Sequence, residues 1–553
     1  MPTSPDVVVI LVDDMGWSDL GCYGSEINTP NLDRLASRGV RMSQFYNTAR
    51  CSPARASLLT GLHPHQTGIG VLTAPDAPLG YPGRLNEQCV TMAEVLRDQG
   101  YGTYHSGKWH LTGSIDEPDG AWPRQRGFDH SYSLIIGSTS YWDPRNVFDD
   151  DEPVTEFDED FYLTTEIGER AAGFIDQHDR TRTDDPLFCY VAFNAPHWPL
   201  HAPEDAISRY DGVYDAGWDE LRKRRHHKQL DEGLLAQEWD VTERDHTVPA
   251  WEDADEHEWQ ARRMAVYAAQ VELMDAAVGR VVDALDGTGR LDDTLLVFLS
   301  DNGGCAEEFA PRWADENPSR PVHTRTHSRT GERVRVGNVP ELVPGGPTTH
   351  CSYGVAWANV SNTPFREYKH WVHEGGIATP LIAHWPTGLG AGGDHPAGPI
   401  DHRPRQLPDI FATVCEATGA AWPQTHHGEE IPPPEGTSML SGWRAVREDR
   451  PEPDDPDHEL FFEHEGNAAM RAGRWKLVRK YGSGWELYDM DTDRTELHDV
   501  ASEHPELVLD LIGRYRAWAD RVGVIDRAQV LAARPPGPRP LYMSGFDSNP
   551  RRA

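Results

Sequence analysis

The stretch "DVVVILVDD" at residues 6–14 places six apolar residues, four of them valines, directly before two aspartates. A short apolar run rich in β-branched residues predicts a strand that is buried on both faces, as strands are in the middle of a parallel sheet. The run is too short to span a membrane, which takes ~20 apolar residues. We therefore expect Asp13 and Asp14 to emerge at the carboxyl end of a central strand.

Similar apolar runs recur along the chain, and helical patterns separate them. The other predicted strands are 101–107, 187–193, 294–300 and 379–385. The predicted helices include 31–39, 91–100, 161–177 and 258–286. This alternation predicts an α/β fold with a large mixed, mostly parallel sheet sandwiched by helices.

The composition changes near residue 430, where the stretch "EEIPPPEGTS" is rich in proline. Beyond residue 455, short alternating strand patterns and one helix at 504–521 predict a smaller C-terminal α+β subdomain on a short antiparallel sheet. We predict that a large α/β domain occupies residues 1–435. The subdomain and a Pro- and Arg-rich extended tail after residue 533 then occupy residues 436–553.

Two charged or turn-rich stretches interrupt the pattern of the large domain. Residues 204–256 are charged and rich in histidine, which predicts an insertion with helical pieces. Within it, "RKRRHHK" at 222–228 is typical of a solvated helix face. Residues 304–363 are rich in Gly, Pro, Thr and Arg, which predicts a long loop.

The overall charge restricts the partners of the protein. The 553 residues carry a formal net charge of −37, which argues against nucleic acids and anionic membrane surfaces as partners. The seven cysteines are scattered, and an odd, widely spaced set favours reduced thiols. Because no basic leader precedes the first apolar run, we expect a cytoplasmic protein without a signal peptide.

Lysine is scarce in this chain, which makes each lysine informative. Only six of the 52 basic residues are lysines, at positions 108, 223, 228, 369, 476 and 480. Arginine supplies the remaining surface cations, and the two side chains are chemically distinct because lysine is a compact point charge. A lysine near a predicted site is therefore a stronger functional candidate here than in most proteins.

Four of the predicted strands are followed at once by residues that bind metals or transfer protons. These residues are Asp13 and Asp14, Lys108 and His110, His197, and Asp301 and Asn302. Ligands of open α/β sheets bind beyond the carboxyl ends of the strands. Each segment alone is also typical of a turn or a packed loop, but four in succession favour one shared site.

The predicted metal ligands carry oxygen donors only. Asp13, Asp14, Asp301 and Asn302 offer carboxylate and amide oxygens, which select Ca²⁺ or Mg²⁺ over Zn²⁺. A dication held there would attract an oxygen of a sulfate or phosphate group and act as a Lewis acid.

The stretch "CSPARASLLTG" at residues 51–61 predicts a helix that begins near Cys51. Ser52 is a good N-cap, Pro53 suits the first helical position and Gly61 suits the end. Anions bind at helix N-termini, and Arg55 lies one turn further on. From these residues alone, Cys51 is a buried small hydrophobe, a disulfide partner or a low-pKa nucleophile.

Together these motifs resemble those of the type I sulfatases, in the alkaline-phosphatase-like superfamily. The resemblance lies in "DDMGW", Cys-x-Pro-x-Arg with its trailing Leu-Leu-Thr-Gly, "GKWHL", "PHWP", "SDNGG" and "NTPFREYKHWVHEGG". It extends from about residue 6 to about residue 525 and is greatest to the cytosolic arylsulfatases of bacteria. The implied function is hydrolysis of a small sulfate monoester, with aryl sulfates as the first expectation.

The resemblance implies that Cys51 is not kept as a thiol. In this family a separate formylglycine-generating enzyme reads Cys-x-Pro-x-Arg and oxidises the cysteine to Cα-formylglycine. One hydroxyl of the hydrated aldehyde attacks sulfur, and the other later expels sulfate, so that one hard step becomes two. The implied ligands of a single Ca²⁺ are Asp13, Asp14, Asp301, Asn302 and the modified Cys51.

The resemblance also assigns roles to the remaining site residues. Arg55 holds the hydrated aldehyde, and Lys108 and Lys369 bind the sulfate group. His197, assisted by Lys369, protonates the leaving oxygen. His110 takes the proton from the second hydroxyl, so that sulfate leaves.

Two other functions are compatible with these motifs. Phosphonate monoester and phosphodiester hydrolases share the fold and the Cys-x-Pro-x-Arg motif, but they tend to carry Asp-His where this chain has Asp301-Asn302. A catalytically silent, sulfatase-like binding protein is disfavoured because every expected position is filled. Among sulfate esters, aryl, alkyl and sugar substrates are all compatible with the sequence, because a fold does not fix its substrate.

Overall fold

A computed structural model describes residues 4–73, 80–309, 325–390, 397–451 and 458–533. It confirms the predicted fold class. A large, mostly parallel sheet lies between layers of helices, and a small antiparallel sheet lies near the C-terminus. The predicted extended tail lies outside the described residues.

The strands of the described residues are numbered in chain order. They are β1 (Asp6–Asp13), β2 (Val40–Tyr46), β3 (Gly102–Lys108), β4 (His130–Leu134), β5 (Val147–Asp149), β6 (Glu152–Pro153), β7 (Leu187–Pro196), β8 (Thr294–Ser300), β9 (Arg335–Val336), β10 (Thr349–His350), β11 (Ala378–His384), β12 (Ile400–Asp401), β13 (Arg405–Gln406), β14 (Thr425–His426), β15 (Glu429–Glu430), β16 (Glu459–His464), β17 (Asn467–Ala472), β18 (Trp475–Arg479) and β19 (Glu486–Asp489).

The α-helices of the same residues are Pro30–Arg38, Cys51–Thr60, Met92–Asp98, Leu163–Thr181, Glu204–Ile207, Gly217–Asp231, His257–Gly287, Gly354–Ser361, Glu374–Ile377, Pro386–Leu389, Leu407–Thr418, Leu440–Arg447, Pro505–Val522 and Arg527–Ala533. The predicted helices all appear among them, with ends that differ by a few residues. No helix in the described part of the chain is both long and apolar enough to cross a membrane.

The large sheet has the strand order β12-β2-β11-β8-β1-β7-β3-β4-β5-β6, and β13 also pairs with β2. The five strands from β8 to β4 in this order are parallel to one another. β1 lies between β7 and β8 and is buried along its whole length. Its alternate residues enter two different cores, because Val8 and Ile10 face one helical layer and Val7 and Val9 face the other.

The sequence analysis missed β2, which delivers Cys51 to the site. All seven residues of this strand are buried, although Arg41, Ser43 and Gln44 are polar. The polar groups are satisfied by distant partners; the Arg41 guanidinium, for example, donates to the carbonyl of Cys22. Because long-range contacts bury this strand, its sequence lacks the apolar pattern that marks β1.

One predicted surface proves to be only partly exposed. Helix Gly217–Asp231 confirms the helical insertion. Lys223, Arg224, His227 and Lys228 are exposed, as predicted for a solvated face at 222–228, but Arg222, Arg225 and His226 are buried. Arg225 is fully buried because it pairs with Asp19, 2.7 Å away, and with Glu26. These ion pairs hold the insertion against residues that closely follow the "DDMGW" motif.

The predicted loop at 304–363 is only partly irregular. Residues 310–324 lie outside the described part. The remainder contains β9, β10 and helix Gly354–Ser361, whose Trp357 is fully buried. Apolar residues such as Val355 to Val360 form this helix, and glycine and proline on either side obscured it in the sequence.

The small sheet has the order β16-β17-β18-β19 and is antiparallel throughout, as predicted. One face packs against helix Pro505–Val522, and the other face enters the core of the large sheet through residues such as Phe462 and Val478. Helix Leu440–Arg447 packs in the core on the opposite side of the large sheet. The division between residues 435 and 436 stays a prediction.

Candidate active site

The acidic residues that follow β1 and β8 meet at the carboxyl edge of the large sheet. Asp301 donates its backbone N–H to the carbonyl of Val12 (3.0 Å), and its side chain accepts from the backbone N–H of Asp14 (3.2 Å). Asp14 has a left-handed backbone with φ of 65°, which a short polar residue tolerates better than most. The two strand ends are thus fixed to each other by backbone geometry.

Two oxygen atoms of this cluster are buried without a hydrogen-bond partner in the described part of the chain. The Asn302 side-chain amide nitrogen donates to Asp14 (2.8 Å). Among the described residues, Asn302 Oδ1 and Asp13 Oδ1 have no hydrogen-bond partner. Buried polar atoms normally have partners. The orphaned oxygens and the all-oxygen donor set therefore fit a hard dication such as Ca²⁺.

His197 also lies close enough to Asp13 and Asp14 to share a metal ion with them, although it is not among the predicted ligands. Ligand atoms of Asp13, Asp14 and His197 all lie within 4.8 Å of one another. His197 is a nitrogen donor, which suits Ca²⁺ less well than the oxygens of Asp301 and Asn302. We therefore keep the oxygen donors as the candidate ligands.

Three cations face the three aspartates. Lys108 Nζ lies 2.5 Å from Asp13, Lys369 Nζ lies 2.7 Å from Asp14, and Arg55 Nη2 lies 3.0 Å from Asp301. Lys108 ends β3, so it arrives at the same edge as the aspartates. Because β11 runs antiparallel to β8, the segment that precedes β11 brings Lys369 to that edge as well.

The buried charges shift one another's pKa values. Burial works to raise the pKa of Asp13, but Lys108 and His197 outweigh it and hold the value below its usual range. Asp14 behaves in the same way with Lys369 as its main counter-charge. Burial, reinforced by the charge of Asp13, instead raises the pKa of Asp301 to about 7. The site thus holds carboxylates of unequal acidity within one cluster.

Cys51 is the first residue of helix Cys51–Thr60 and is buried. Its Sγ lies 3.5 Å from Nδ1 of His110. Arg55, one turn further along the helix, contacts Asp301 and also donates to the carbonyl of Lys108 (2.9 Å). The predicted nucleophile is therefore held on the same helix as a residue that contacts the acidic cluster.

The predicted start of this helix needs a correction, whereas its end is confirmed. Ser52 is not the N-cap, because the helix begins at Cys51 and the Ser52 hydroxyl lies 3.3 Å from His110 Nδ1. Pro53 fits in the first turn because N–H groups there have no helical partner. Gly61 ends the helix with φ of 64° and donates to the carbonyl of Ser57.

The cysteines are all free thiols, as predicted. This rules out a structural disulfide for Cys51. Six of the seven cysteines are buried, and Cys415 is half-buried. Cys51 differs from an inert core cysteine in that a histidine and charged residues surround it.

His197 lies just beyond β7, within the acidic cluster. Its Nε2 is 3.3 Å from Asp14, and its Nδ1 is 2.7 Å from the carbonyl of Trp198. The second contact is a hydrogen bond only if Nδ1 carries a proton, which assigns the tautomer and turns Nε2 toward the site. Burial lowers the pKa of His197, while Asp14 and Asp13 oppose that shift.

Sequence reasoning missed one buried carboxylate beside the predicted residues. Glu307 pairs with Arg50 (3.1 Å) and accepts from the indole N–H of Trp198 (2.9 Å). Burial works to raise the pKa of Glu307, but Arg50 and Lys369 lower it to about 2. Glu307 thus connects the residue before Cys51 with the residue after His197. It lies in no recognisable motif, so no signal in the sequence pointed to it.

This site can be compared with those of known proteins. The model of the Sulfatase family matches residues 5–420. The chain belongs to the sulfatase family. It is 31% identical over 569 aligned residues to an uncharacterised sulfatase of Schizosaccharomyces pombe, and the alignment covers 94% of each chain. It is 34% identical over 433 residues to an arylsulfatase of Klebsiella aerogenes, which covers 75% of this sulfatase and 87% of that enzyme.

Solved structures confirm the fold of this sulfatase. The crystal structure of Ps i-CgsB superposes with a TM-score of 0.64 at 24% identity, over 94% of this chain and 93% of that one. The PsFucS1 sulfatase from Pseudoalteromonas sp. gives a TM-score of 0.59 at 19% identity, over 97% and 92% of the two chains. Family membership assigns the chain to the sulfuric ester hydrolases and disfavours the phosphonate hydrolase alternative.

Proposed function

We propose that this sulfatase hydrolyses small sulfate monoesters, aryl sulfates first among them, through a formylglycine made from Cys51. One observation carries the proposal. Cys51 begins a helix whose next turn places Arg55 on Asp301, and His110 lies 3.5 Å from the Cys51 sulfur. This proximity supports the proposed roles of residue 51 as nucleophile and of His110 as base, beside the cluster that contains Asp301.

The acidic cluster is proposed to hold one Ca²⁺. Asp13, Asp14, Asp301 and Asn302 supply its protein oxygens, and an oxygen of the modified residue 51 completes the set. When bound, the ion supplies positive charge to the sulfate oxygens and so favours attack on sulfur. The requirement for a formylglycine-generating enzyme as a maturation partner and the cytoplasmic location are part of the same proposal.

The residues of the chain divide the remaining work. Arg55 orients the hydrated aldehyde that residue 51 supplies as nucleophile. Lys108 and Lys369 neutralise charge on the sulfate group, and their ammonium groups lie within 3 Å of Asp13 and Asp14, beside the position of the ion. His197 donates a proton to the oxygen of the leaving alcohol. His110 accepts the proton of the second hydroxyl, after which the carbon–oxygen bond to sulfate breaks and the aldehyde is restored.

Two observations support aryl sulfates as substrates. The relative from Klebsiella aerogenes is named an arylsulfatase. In addition, the Trp198 ring lies with its centroid 4.3 Å from that of His197, the proposed acid, and is not fully buried. The group leaving from sulfur would therefore lie near an aromatic face, which favours an aryl ring.

The test is a comparison of two substrates on one preparation. We expect an aryl sulfate to be turned over much faster than a matched aryl phosphonate monoester. A preference for the phosphonate would contradict the proposal and would support the alternative that the protein is a phosphonate monoester hydrolase. No turnover of either, in a sample whose residue 51 is converted, would support the catalytically silent alternative.

A further inference from the structure

The segment 362–377, which carries Lys369, has an unfavourable backbone conformation on both sides of that lysine. Glu367 and His370, on either side of Lys369, both have left-handed conformations, with φ of 67° and 90°. These values are unfavourable for residues with a side chain and persist only where surrounding structure enforces them. Hydrogen bonds within the segment, such as that from the Gly375 N–H to the Arg366 carbonyl (3.0 Å), supply part of this restraint, and contacts from outside the segment supply the rest.

Part of this restraint comes from the active-site loops. Lys369 donates its backbone N–H to the carbonyl of Gly304 (3.1 Å), and His370 donates to the carbonyl of Ala49 (2.7 Å). The segment thus touches both the loop after Asp301 and the loop before Cys51. A shift of the segment would move Lys369 relative to both.

A second set of restraints comes from the C-terminal sheet, through two of the six lysines. Lys480, directly after β18, lies 2.5 Å from Glu367 and 4.5 Å from the centroid of the Trp371 ring. Lys476, in β18, lies 2.7 Å from Glu374 and is fully buried. The two lysines therefore bind the segment on both sides of Lys369.

Other residues of the same sheet, and of the loop that follows β19, reinforce these contacts. Arg366 pairs with Glu486 of β19 (2.7 Å) and donates to the hydroxyl of Tyr488 (2.9 Å). Glu374 also accepts from Arg494 (3.2 Å) and donates its backbone N–H to Glu496 (3.2 Å). On the large sheet, only Tyr46 among the described residues hydrogen-bonds to the Glu374 side chain.

We propose that the C-terminal sheet is a positioning unit for the sulfate-binding Lys369, and that Lys476 and Lys480 are its positioning residues. They do not contact the substrate; they hold Glu374 and Glu367, and so fix the ammonium of Lys369 beside Asp14. The inference rests on the proposed function for the role of Lys369. It explains why four of six scarce lysines are concentrated in and directly behind one site.

The first test uses Lys480→Met. Lys480 and its partner Glu367 are both partly exposed, so the substitution does not leave a fully buried charge without a partner. We expect kcat/KM for an aryl sulfate to fall by between about tenfold and hundredfold, since small misplacements of catalytic groups have effects of this size. Inhibition by inorganic sulfate should weaken in parallel. Lys480→Arg should restore most of both, because arginine also reaches Glu367 and Trp371.

Arg474→Met is the matched control. Arg474 lies in the turn between β17 and β18 and pairs with Asp489 of β19 (2.8 Å) and with Asp491 in the loop that follows β19, so it does not contact the segment 362–377. We expect its activity and sulfate inhibition to equal those of the wild type. Lys476→Met serves as a second, stronger variant, with Lys476→Arg as its rescue, provided that the variant folds.

Hydrogen exchange supplies a readout that does not depend on turnover. In Lys480→Met, amides of residues 362–377 should exchange faster, while those of β1 and of helix Cys51–Thr60 are unchanged. If Lys480→Met matches Arg474→Met in kcat/KM, sulfate inhibition and exchange, the inference is wrong. If instead the wild type does not hydrolyse sulfate esters, the proposed function fails, and the exchange result still decides whether the sheet holds the segment.

Discussion

Two clusters of buried charge each include one residue of the segment 362–377, and they have different roles. The site cluster consists of Asp13, Asp14, Asp301, Lys108, Lys369 and Arg55. The anchor cluster consists of Glu374, Glu496, Lys476 and Arg494. Both are almost completely shielded from solvent, and both pair carboxylates with lysine and arginine.

The clusters differ in what they leave unsatisfied. In the anchor cluster both oxygens of Glu374 have partners, Lys476 on one side and Tyr46 and Arg494 on the other. In the site cluster Asp13 Oδ1 has no hydrogen-bond partner among the described residues. Glu496 Oε1 of the anchor cluster also lacks a hydrogen-bond partner among those residues, but it lies 2.8 Å from the ammonium of Lys476, whereas Arg55 is 3.9 Å from Asp13 Oδ1. Oxygens without a close counter-charge therefore distinguish the cluster that can bind an ion from the cluster that holds the fold together.

The Arg494 side chain shows how the anchor cluster completes its pairing. Its guanidinium lies 4.7 Å from the ring centroid of Phe365 and 5.5 Å from that of Trp17. Aromatic faces stabilise a buried cation in place of further acceptors. Trp17 belongs to the "DDMGW" motif, so this arginine also connects the C-terminal subdomain to the loop after β1.

The largest effect should come from the nucleophile. We expect Cys51→Ala to lower sulfate-ester turnover by at least about 10⁴-fold, as loss of a covalent nucleophile typically does. Thermal unfolding should be almost unchanged, because the substitution removes one small side chain. Cys415→Ala is the control and should keep full activity. Near wild-type turnover in Cys51→Ala would contradict the assignment of residue 51 as the nucleophile.

The next effect should come from the oxygen donors of the site cluster. We expect Asp14→Asn to lower kcat by roughly 10²- to 10³-fold, because it weakens ion binding and removes the negative charge that pairs with Lys369. A calcium chelator should inactivate the wild type, and added Ca²⁺ should restore it. Asp185→Asn, which alters a surface ion pair with Arg182, is the control. Full activity after chelation would contradict the assignment of the ion.

A substitution in the anchor cluster should lower the stability of the fold in addition to its effect on the position of Lys369. Glu374→Gln leaves Lys476 and Arg494 buried with a missing counter-charge, which should lower the free energy of unfolding by about 3–5 kcal/mol. Chemical denaturation measures this value. Glu166→Gln, in a surface pair with Arg170, should cost less than about 1 kcal/mol. Equal losses in the two variants would show that the anchor cluster does not stabilise the fold.

A smaller, pH-dependent effect follows from the same carboxylate. Burial works to raise the pKa of Glu374, but Lys476 and Arg494 lower it below the usual 4.5. The unfolded chain thus binds the proton more tightly, so the stabilising contribution is complete above pH 4.5 and is lost as the pH falls through the folded pKa. The stability gap between wild type and Glu374→Gln should shrink at acid pH by at most about 1.4 kcal/mol per pH unit. A constant gap would contradict this.

The sequence was sufficient to predict the centre of the fold and much of the site. β1 is a continuous apolar run, and the residues that follow β1, β3, β7 and β8 do converge at one edge of the sheet. Their convergence follows from the parallel order of the strands, which local patterns predict well. The family resemblance predicted roles for Lys108 and Lys369, and the scarcity of lysine supported that prediction.

What the sequence did not predict depends on distant partners. β2 is buried despite Arg41, and Arg225 is buried because Asp19 and Glu26 neutralise it. Glu307 acquires its position only when Arg50 and Trp198 are brought to it. A polar residue is expected at the surface unless its partners are known, and these partners are separated from it by tens to hundreds of positions.

The central claim is that turnover depends on an aldehyde at position 51. The most direct measurement relates the rate of aryl sulfate hydrolysis to the fraction of residue 51 that mass spectrometry finds converted, across preparations made with increasing amounts of a formylglycine-generating enzyme. We predict a proportional relation that extrapolates to no activity at zero conversion. A rate that is independent of the converted fraction would contradict the account.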